Sequence, residues 1–294
     1  PSHRVIWTGT DDDTLTVLTN TVTMVNDLHI VEVRFYAPRT LNVPGDYTNL
    51  QHAIDDAMDG DIVVIAPADE PYLTVDGFYI YGKAITITSA NPDEPNVVAR
   101  TVIEMQSPGP GGTVGPAFYF SSVERDTVLN GLTIRGFNMY GGNGRGGNPG
   151  ADPPWWDGVP GGSVYGAAIR CYYSSPTIKN CIITDCSARG GNGGNGAGGN
   201  DDHPDGGHGG WPGRGYGGGM GCLDDSNPLV INCTFDNCRA YGGNGGNGGN
   251  GNGNPWGPGG RGGGWYYPYD IYLYQPYEWG PFDFYTTYSG HGGA

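Results

Sequence analysis

Six cysteines, two Gly-His-Gly triplets and two short carboxylate clusters are the residues of this chain whose types and spacing suggest chemistry. The cysteines fall in three pairs at matching positions: Cys171 with Cys222, Cys181 with Cys233, and Cys186 with Cys238. Thiols paired in this way serve as disulfide partners or as a column of buried sulfur. Zinc would need further ligands, and no histidine lies near them in sequence. Asp11-Asp-Asp13 and Asp201-Asp-His-Pro-Asp205 carry enough oxygen for Ca2+, although solvated turns use the same residues. No other cofactor is expected. Gly207-His208-Gly209 and Gly290-His291-Gly292 are triplets that so glycine-rich a chain produces by chance, and Asp224-Asp225 belongs to no aspartate trio. Arg170 and Arg239 are nominal candidates for a base. Neither is tied to a carboxylate set, and each reads as a solvated surface charge.

A repeat positions these side chains. Gly131-Leu-Thr-Ile-Arg-Gly-Phe-Asn-Met-Tyr-Gly-Gly-Asn-Gly144, Asn180-Cys-Ile-Ile-Thr-Asp-Cys-Ser-Ala-Arg-Gly-Gly-Asn-Gly193 and Asn232-Cys-Thr-Phe-Asp-Asn-Cys-Arg-Ala-Tyr-Gly-Gly-Asn-Gly245 align without a gap, at offsets of 49 and 52 residues. The return half repeats too, since Tyr165-Gly-Ala-Ala-Ile169 matches Tyr216-Gly-Gly-Gly-Met220. Without its loop each repeat keeps roughly two dozen residues, about one coil of a parallel β-solenoid with strands of about 3 to 5 residues. The strand period of two sorts the side chains. Leu132, Cys181 and Cys233 form one inward column, and Ile134, Ile183 and Phe235 form another. Thr133, Ile182 and Thr234, between them, are expected to point outward. The predicted class is therefore all-β.

Pro176-Thr-Ile-Lys-Asn-Cys-Ile-Ile-Thr-Asp-Cys186 and Pro228-Leu-Val-Ile-Asn-Cys-Thr-Phe-Asp-Asn-Cys238, each after a Gly-Ala-Ala-Ile or Gly-Gly-Gly-Met turn, resemble repeats of right-handed parallel β-helix proteins. The nearest flavour is the bacterial secreted or surface β-helix, similar to chlamydial polymorphic outer-membrane repeats and planctomycete repeats. Residues 39–66 resemble the start of pectate-lyase-like helices, where a short helix caps the solenoid and a strand follows. The resemblance covers residues 39 to about 240. It implies a fold that hosts lyases, hydrolases, adhesins and inert scaffolds alike. Polygalacturonase-like members need several aspartates with a Gly-His-Gly, and pectate lyases need a Ca2+ cluster with a basic residue. Neither set assembles from the residues above. Adjacent coils lie about 4.8 Å apart, within the Cα window of a disulfide. The cysteine columns thus admit either cross-coil bridges or a ladder of thiols, and the first repeat has Leu132 and Phe137 at two of these positions.

The cap can be read without the resemblance. A helix at about 48–59 would open on Thr48 with Gln51 as its capping-box partner, present Leu50, Ile54 and Ala57 beside Ala53, and stop at Gly60. It would cover an open sheet end that otherwise invites pairing.

Glycine-rich insertions at about 141–163, 190–218 and 242–264 leave the repeats at one common point. Gly190-Gly-Asn-Gly-Gly-Asn195 and Gly242-Gly-Asn-Gly-Gly-Asn-Gly-Gly-Asn250 have a period of three, which matches the three residues per turn of polyproline II geometry. Bare glycine edges would let such segments pack side by side, as in polyglycine II. A flexible linker is the alternative. Trp155, Trp156, Trp211 and Trp256 within them favour order. Asn180 and Asn232 fall at a coil corner and are expected to stack as a hydrogen-bonded ladder, although Asn232-Cys-Thr234 is also a glycosylation sequon.

The formal charge of −16 with only two lysines, Lys83 and Lys179, excludes nucleic acid as a partner. No apolar run is long enough to span a membrane, and none of the sequence reads as a signal peptide, so neither is expected. The chain starts at Pro1, as a processed or partial product would. Three parts result: a β-rich segment at 1–38, the β-helix at 39–264, and an aromatic-rich segment at 265–294. Ser289-Gly-His-Gly-Gly-Ala294 resembles the Val164-Tyr-Gly-Ala-Ala168 and Gly215-Tyr-Gly-Gly-Gly219 turns that open a coil, yet no coil follows it. Spare strands at one end and an open edge at the other predict head-to-tail association. The expectation is an extracellular or cell-surface structural or adhesive protein whose partner is itself. A polysaccharide lyase or glycoside hydrolase is the alternative, and a glycan- or ice-binding surface formed by the asparagine edges is a third.

Overall fold

The structure, a computed structural model, describes residues 4–13, 20–23, 30–106, 115–148, 157–199, 206–250, 266–267 and 271–273. The described residues form stacked, mainly parallel sheets with two short helices. The chain visits the same sheets in turn, so strands far apart in sequence become neighbours. One sheet has six strands in the order Leu229–Ile231, Thr177–Lys179, Val128–Asn130, Thr86–Ser89, Ile62–Ile65 and Thr40–Val43. A second runs Thr234–Asp236, Ile182–Thr184, Thr133–Arg135, Val102–Met105 and Tyr72–Thr74. A third runs Ile271–Leu273, Met220–Leu223, Ile169–Tyr172, Phe118–Ser121 and Phe78–Tyr81. All the strand pairs of these three sheets are parallel.

The core is a set of columns between these sheets. Leu41, Val63, Ile87, Leu129, Ile178 and Val230 stand in register and are buried. Ile103, Ile134, Ile183 and Phe235 form the next column, with Phe235 only partly covered. Leu132 and Cys181 are buried at a third position, and Cys233 at the stack's end is half-buried. Phe78, Phe118, Ile169 and Met220 form the inner row of the third sheet, beside Ile80, Phe120, Cys171 and Cys222. Burying rows of branched and aromatic side chains from every sheet supplies the main driving force, at roughly 1.5–3 kcal/mol per fully buried side chain.

The corners between strands repeat a left-handed residue. Gly131, Asn180 and Asn232 share one corner, with φ of 68°, 54° and 48°, and Gly136, Asp185 and Asn237 share another, with φ of 75°, 55° and 49°. Glycine has no Cβ to clash there, and asparagine and aspartate tolerate the conformation best among the rest.

The helix of the first repeat is Leu50–Asp56, shorter than expected, and its cap is Asn49 and not Thr48. The Asn49 side chain accepts from the backbone N–H of Gln51 and of His52 at 2.8 and 3.3 Å. Gln51 therefore does not reach back to close a capping box. Its amide turns to the edge of the third sheet, accepting from Tyr79 N at 2.8 Å and donating to Tyr79 O at 3.1 Å. One side chain thus pairs the first strand of that sheet as a neighbouring strand would. Leu50, Ala53, Ile54 and Ala57 are buried, as the apolar spacing requires. Gly60 lies beyond the helix, which already ends at the extended Ala57.

A second helix, Pro95–Arg100, was not expected from the sequence. It lies over the outer face of the second sheet and changes the fate of Thr133. That residue is buried, and its hydroxyl donates to Val98 O at 2.9 Å. Ile182 and Thr234, beyond the helix, are half-buried and exposed. In the N-terminal segment, Arg4–Thr8 and Glu32–Tyr36 form a separate antiparallel pair. Most of Leu15–Val25 lies outside the described residues. Of residues 265–294 only the backbone of Tyr266–Tyr267 and Ile271–Leu273 is described, with the former antiparallel to Ala240–Tyr241.

Candidate functional site

The glycine insertions are extended limbs that run out from the stack and back. Outward limbs at 141–147, 190–199 and 242–250 lie side by side. Gly141, Gly144 and Gly147 donate to the carbonyls of Arg189, Asn192 and Asn195. Gly190, Gly193 and Gly196 donate in the same way to Tyr241, Asn244 and Asn247, each at 2.8 Å. Return limbs at 157–163 and 206–214 form a second layer, with Gly158 and Gly161 donating to His208 O and Trp211 O.

The two layers run in opposite directions and interlock. Gly207, Gly210 and Gly213 donate to Ala197, Gly194 and Gly191, all at 2.8 Å, while Gly243, Gly246 and Gly249 donate to Gly213, Gly210 and Gly207. Every bonded set steps by three residues, the repeat of a three-fold extended helix. The third residue faces outward and is often asparagine, whose side chain meets a donor left over by that period. Asn192 N donates to Asn143 Oδ1, Asn244 N to Asn192 Oδ1, and Asn247 N to Asn195 Oδ1, at 2.8, 2.8 and 2.9 Å. Glycine is required inside because the backbones touch. A Cβ on Gly194 would lie 1.9 Å from Arg145 O, whereas one on Gly142, at the outer edge, would meet nothing within 4 Å.

Gly207-His208-Gly209 belongs to a return limb. His208 N donates to Asp157 Oδ1 at 2.7 Å, so the triplet serves the bundle. Trp211 in the same limb is exposed, whereas Trp155, Trp156, Trp256 and Gly290-His291-Gly292 lie outside the described residues.

Where the limbs rejoin the stack, they meet the outer face of the third sheet. Tyr165 and Tyr216 stack there with ring centroids 4.8 Å apart at 9°. The same face carries Tyr79, Tyr81 and Tyr119, whose rings lie 5.6 to 6.1 Å from one another, and the pair Tyr172 and Tyr173 at 4.6 Å. Arg170 is in register with Tyr119 on this face. It is half-buried and not the solvated charge the sequence led us to expect. Its Nε donates to Tyr165 O. Among the described residues no carboxylate pairs with it, and burial lowers its pKa from the usual arginine value. Tyr119 is in turn pushed up by burial and by the nearby Tyr81. The sequence hid this cluster because Arg170 stands in register with Tyr119 and Tyr79 of earlier repeats, whose register nothing in the sequence marks. Arg239 is hydrogen-bonded to the Tyr241 hydroxyl at 3.3 Å.

All six cysteines are thiols with no disulfide between them. Cys171 and Cys222 face each other in register, and their mutual hydrogen bond together with burial raises the Cys171 pKa. Cys186 and Cys238 are buried below Phe137. Asn232 Nδ2 donates to Asn180 Oδ1 at 2.8 Å, and Asn180 Nδ2 continues the ladder to Asn130 Oδ1 at 3.1 Å.

The Asp11 and Asp13 carboxylates accept from Thr23 and from the Gly9–Thr10 turn, which explains the cluster by local turn structure. Asp201–Asp205 lies outside the described residues. Asp224 and Asp225 take left-handed backbone at the end of a strand, with φ of 47° and 54°. Among the described residues no three His, Cys, Asp or Glu side chains converge as a metal site would require. No helix there is long and apolar enough to cross a membrane. No protein-family model matches the chain, and no curated protein or solved structure is detectably similar to it.

Proposed function

We propose that the chain is a right-handed parallel β-helix with a structural or adhesive role outside the cell, acting through contacts with copies of itself. The observation that carries this is the interlocked bundle of glycine limbs. Holding some forty residues of insertion in a backbone-bonded lattice makes a rigid projecting plate, in which Gly207-His208-Gly209 is part of a limb, while Asp224 and Asp225 form a strand-end turn. The partly covered Phe235 and Cys233 at the end of the stack offer a surface for the next subunit. Head-to-tail growth would bring residues 1–38 of one subunit to that end of another. Electron micrographs and sedimentation of the purified chain test it. Filaments, sheets or concentration-dependent association are expected. A monomer at every concentration, or turnover of a polysaccharide by the pure protein, would reject it.

A glycan-binding role is the second reading, and the tyrosine face around Arg170 supports it. Flat aromatic rings suit the apolar faces of sugars, and the Arg170 guanidinium, with which no carboxylate among the described residues pairs, suits an acidic one. Affinity electrophoresis in acidic and neutral polysaccharides tests this. Retardation that Arg170→Ala and Tyr119→Ala both abolish would support binding there, and equal mobility in every gel would exclude it.

A further inference from the structure

The three cysteine pairs differ in one respect that matters for chemistry. Cys171, Cys222, Cys181, Cys186 and Cys238 are buried, whereas Cys233 is half-buried at the end of the stack. Cys233 is also in contact with its partner. Cys181 N donates to Cys233 Sγ at 3.5 Å, and the residues that follow, Ile182 and Thr234, are paired in parallel register. Neighbouring parallel strands lie about 4.8 Å apart, inside the range of roughly 4.4–6.8 Å that disulfide Cα atoms span.

We infer that Cys181 and Cys233 are the thiol pair of this chain that closes to a disulfide between adjacent repeats when the protein meets an external disulfide. Cys233 loses its proton, and its thiolate attacks one sulfur of the external disulfide, forming a mixed disulfide and releasing one thiolate. Cys181 then gives up its proton, and its sulfur displaces the second thiolate from Cys233. The two protein thiols are oxidised, the external disulfide is reduced to two thiols, and the two protons end on them. The electrostatics support this order. The hydrogen bond from Cys181 lowers the Cys233 pKa, whereas burial raises that of Cys181, so the thiolate forms on the sulfur that solvent reaches. Cys171 and Cys222 are equally well registered but enclosed, so an oxidant does not reach them.

Incubating the intact chain with oxidised glutathione, alkylating, and digesting with trypsin without reduction tests this. Cleavage after Lys179, Arg189, Arg214 and Arg239 leaves Cys181 and Cys186 on one peptide and Cys222, Cys233 and Cys238 on another. The expected product is these two peptides linked, with fragment ions placing the bond between Cys181 and Cys233 and the other four cysteines alkylated after unfolding. Cys233→Ser should abolish the linked species, and Cys186→Ser should leave it intact. Six alkylated thiols, glutathione retained on Cys233, or a bond at either other pair would each overturn the inference.

Discussion

Replacing Gly194 by alanine probes the limb bundle at its centre, and Gly142→Ala supplies a matched control at its edge. The added Cβ at 194 would sit 1.9 Å from Arg145 O, so the limbs must part by about 1.1 Å to reach even 3.0 Å. Three hydrogen bonds meet there: Gly194 N to Val159 O at 2.9 Å, Gly210 N to Gly194 O at 2.8 Å, and Val159 N to Arg145 O at 2.9 Å. At about 1 kcal/mol each, their loss costs about 3 kcal/mol. Alanine returns about 0.4–1 kcal/mol by restricting the unfolded chain. The net is about 2 kcal/mol, roughly a thirtyfold fall in protection of the limb amides. Gly142→Ala meets open space, so it keeps its bonds and should leave protection unchanged or raise it by up to about 1 kcal/mol. Hydrogen exchange read by mass spectrometry over residues 190–199 and 206–214 measures both. Equal protection in the two variants, or wild-type limb amides exchanging as fast as free peptide, would refute the reasoning.

Three further outcomes follow from the stack. Ile183→Asp places an unpaired charge at a fully buried position and should cost about 4 kcal/mol, read from urea unfolding; a loss below about 1 kcal/mol would mean the column is hydrated. Burial opposes the charge of Asp61, but hydrogen bonds from Arg39 N, Met58 N and the Arg39 guanidinium outweigh it and lower its pKa, so its stabilisation is present above about pH 4 and is lost as pH falls through the folded value. Wild type should exceed Asp61→Asn by about 2 kcal/mol at pH 7 and lose that advantage as acid protonates the folded carboxylate; a difference independent of pH would contradict the assignment. Asn180→Ala loses two ladder bonds and strains a left-handed corner, costing about 2 kcal/mol, whereas Asn180→Gly should recover about half by relieving the strain, and equal losses would show that the backbone conformation is unimportant there.

The columns of the later repeats were legible because three segments align without gaps and alternate with the strand period. The earlier repeats were not, since their strands pair in the same sheets but carry neither cysteines nor long insertions to mark the register. Thr133 was misread for a related reason. Alternation tells which way a side chain leaves its own strand, and nothing in that strand announces that Pro95–Arg100 will cover it. Thr48 and Asn49 are both good caps, and only the position at which the chain turns decides between them. The limbs were visible through their three-residue period, whereas the pairing of outward with return limbs was not. The return limb at 206–214 keeps the three-residue period, but its third positions hold His208, Trp211 and Arg214 where the outward limbs carry mostly asparagine, so it lacks the Gly-Gly-Asn signature that marked them. Arg170 was misjudged because its burial comes from tyrosines contributed by other repeats and by a returning limb.

The three-residue period of the limbs bears on how the gene can change length. Losing or gaining three codons for one Gly-Gly-Asn unit alters the reach of a limb by roughly 9 Å and returns every residue beyond it to the same side. Losing a single codon turns the remainder of the limb by a third of a revolution, which swings asparagines into the closely packed interior and takes glycines to the outside. A change of length by whole Gly-Gly-Asn units, nine nucleotides each, therefore keeps glycine inside and asparagine outside, whereas one by a single codon does not.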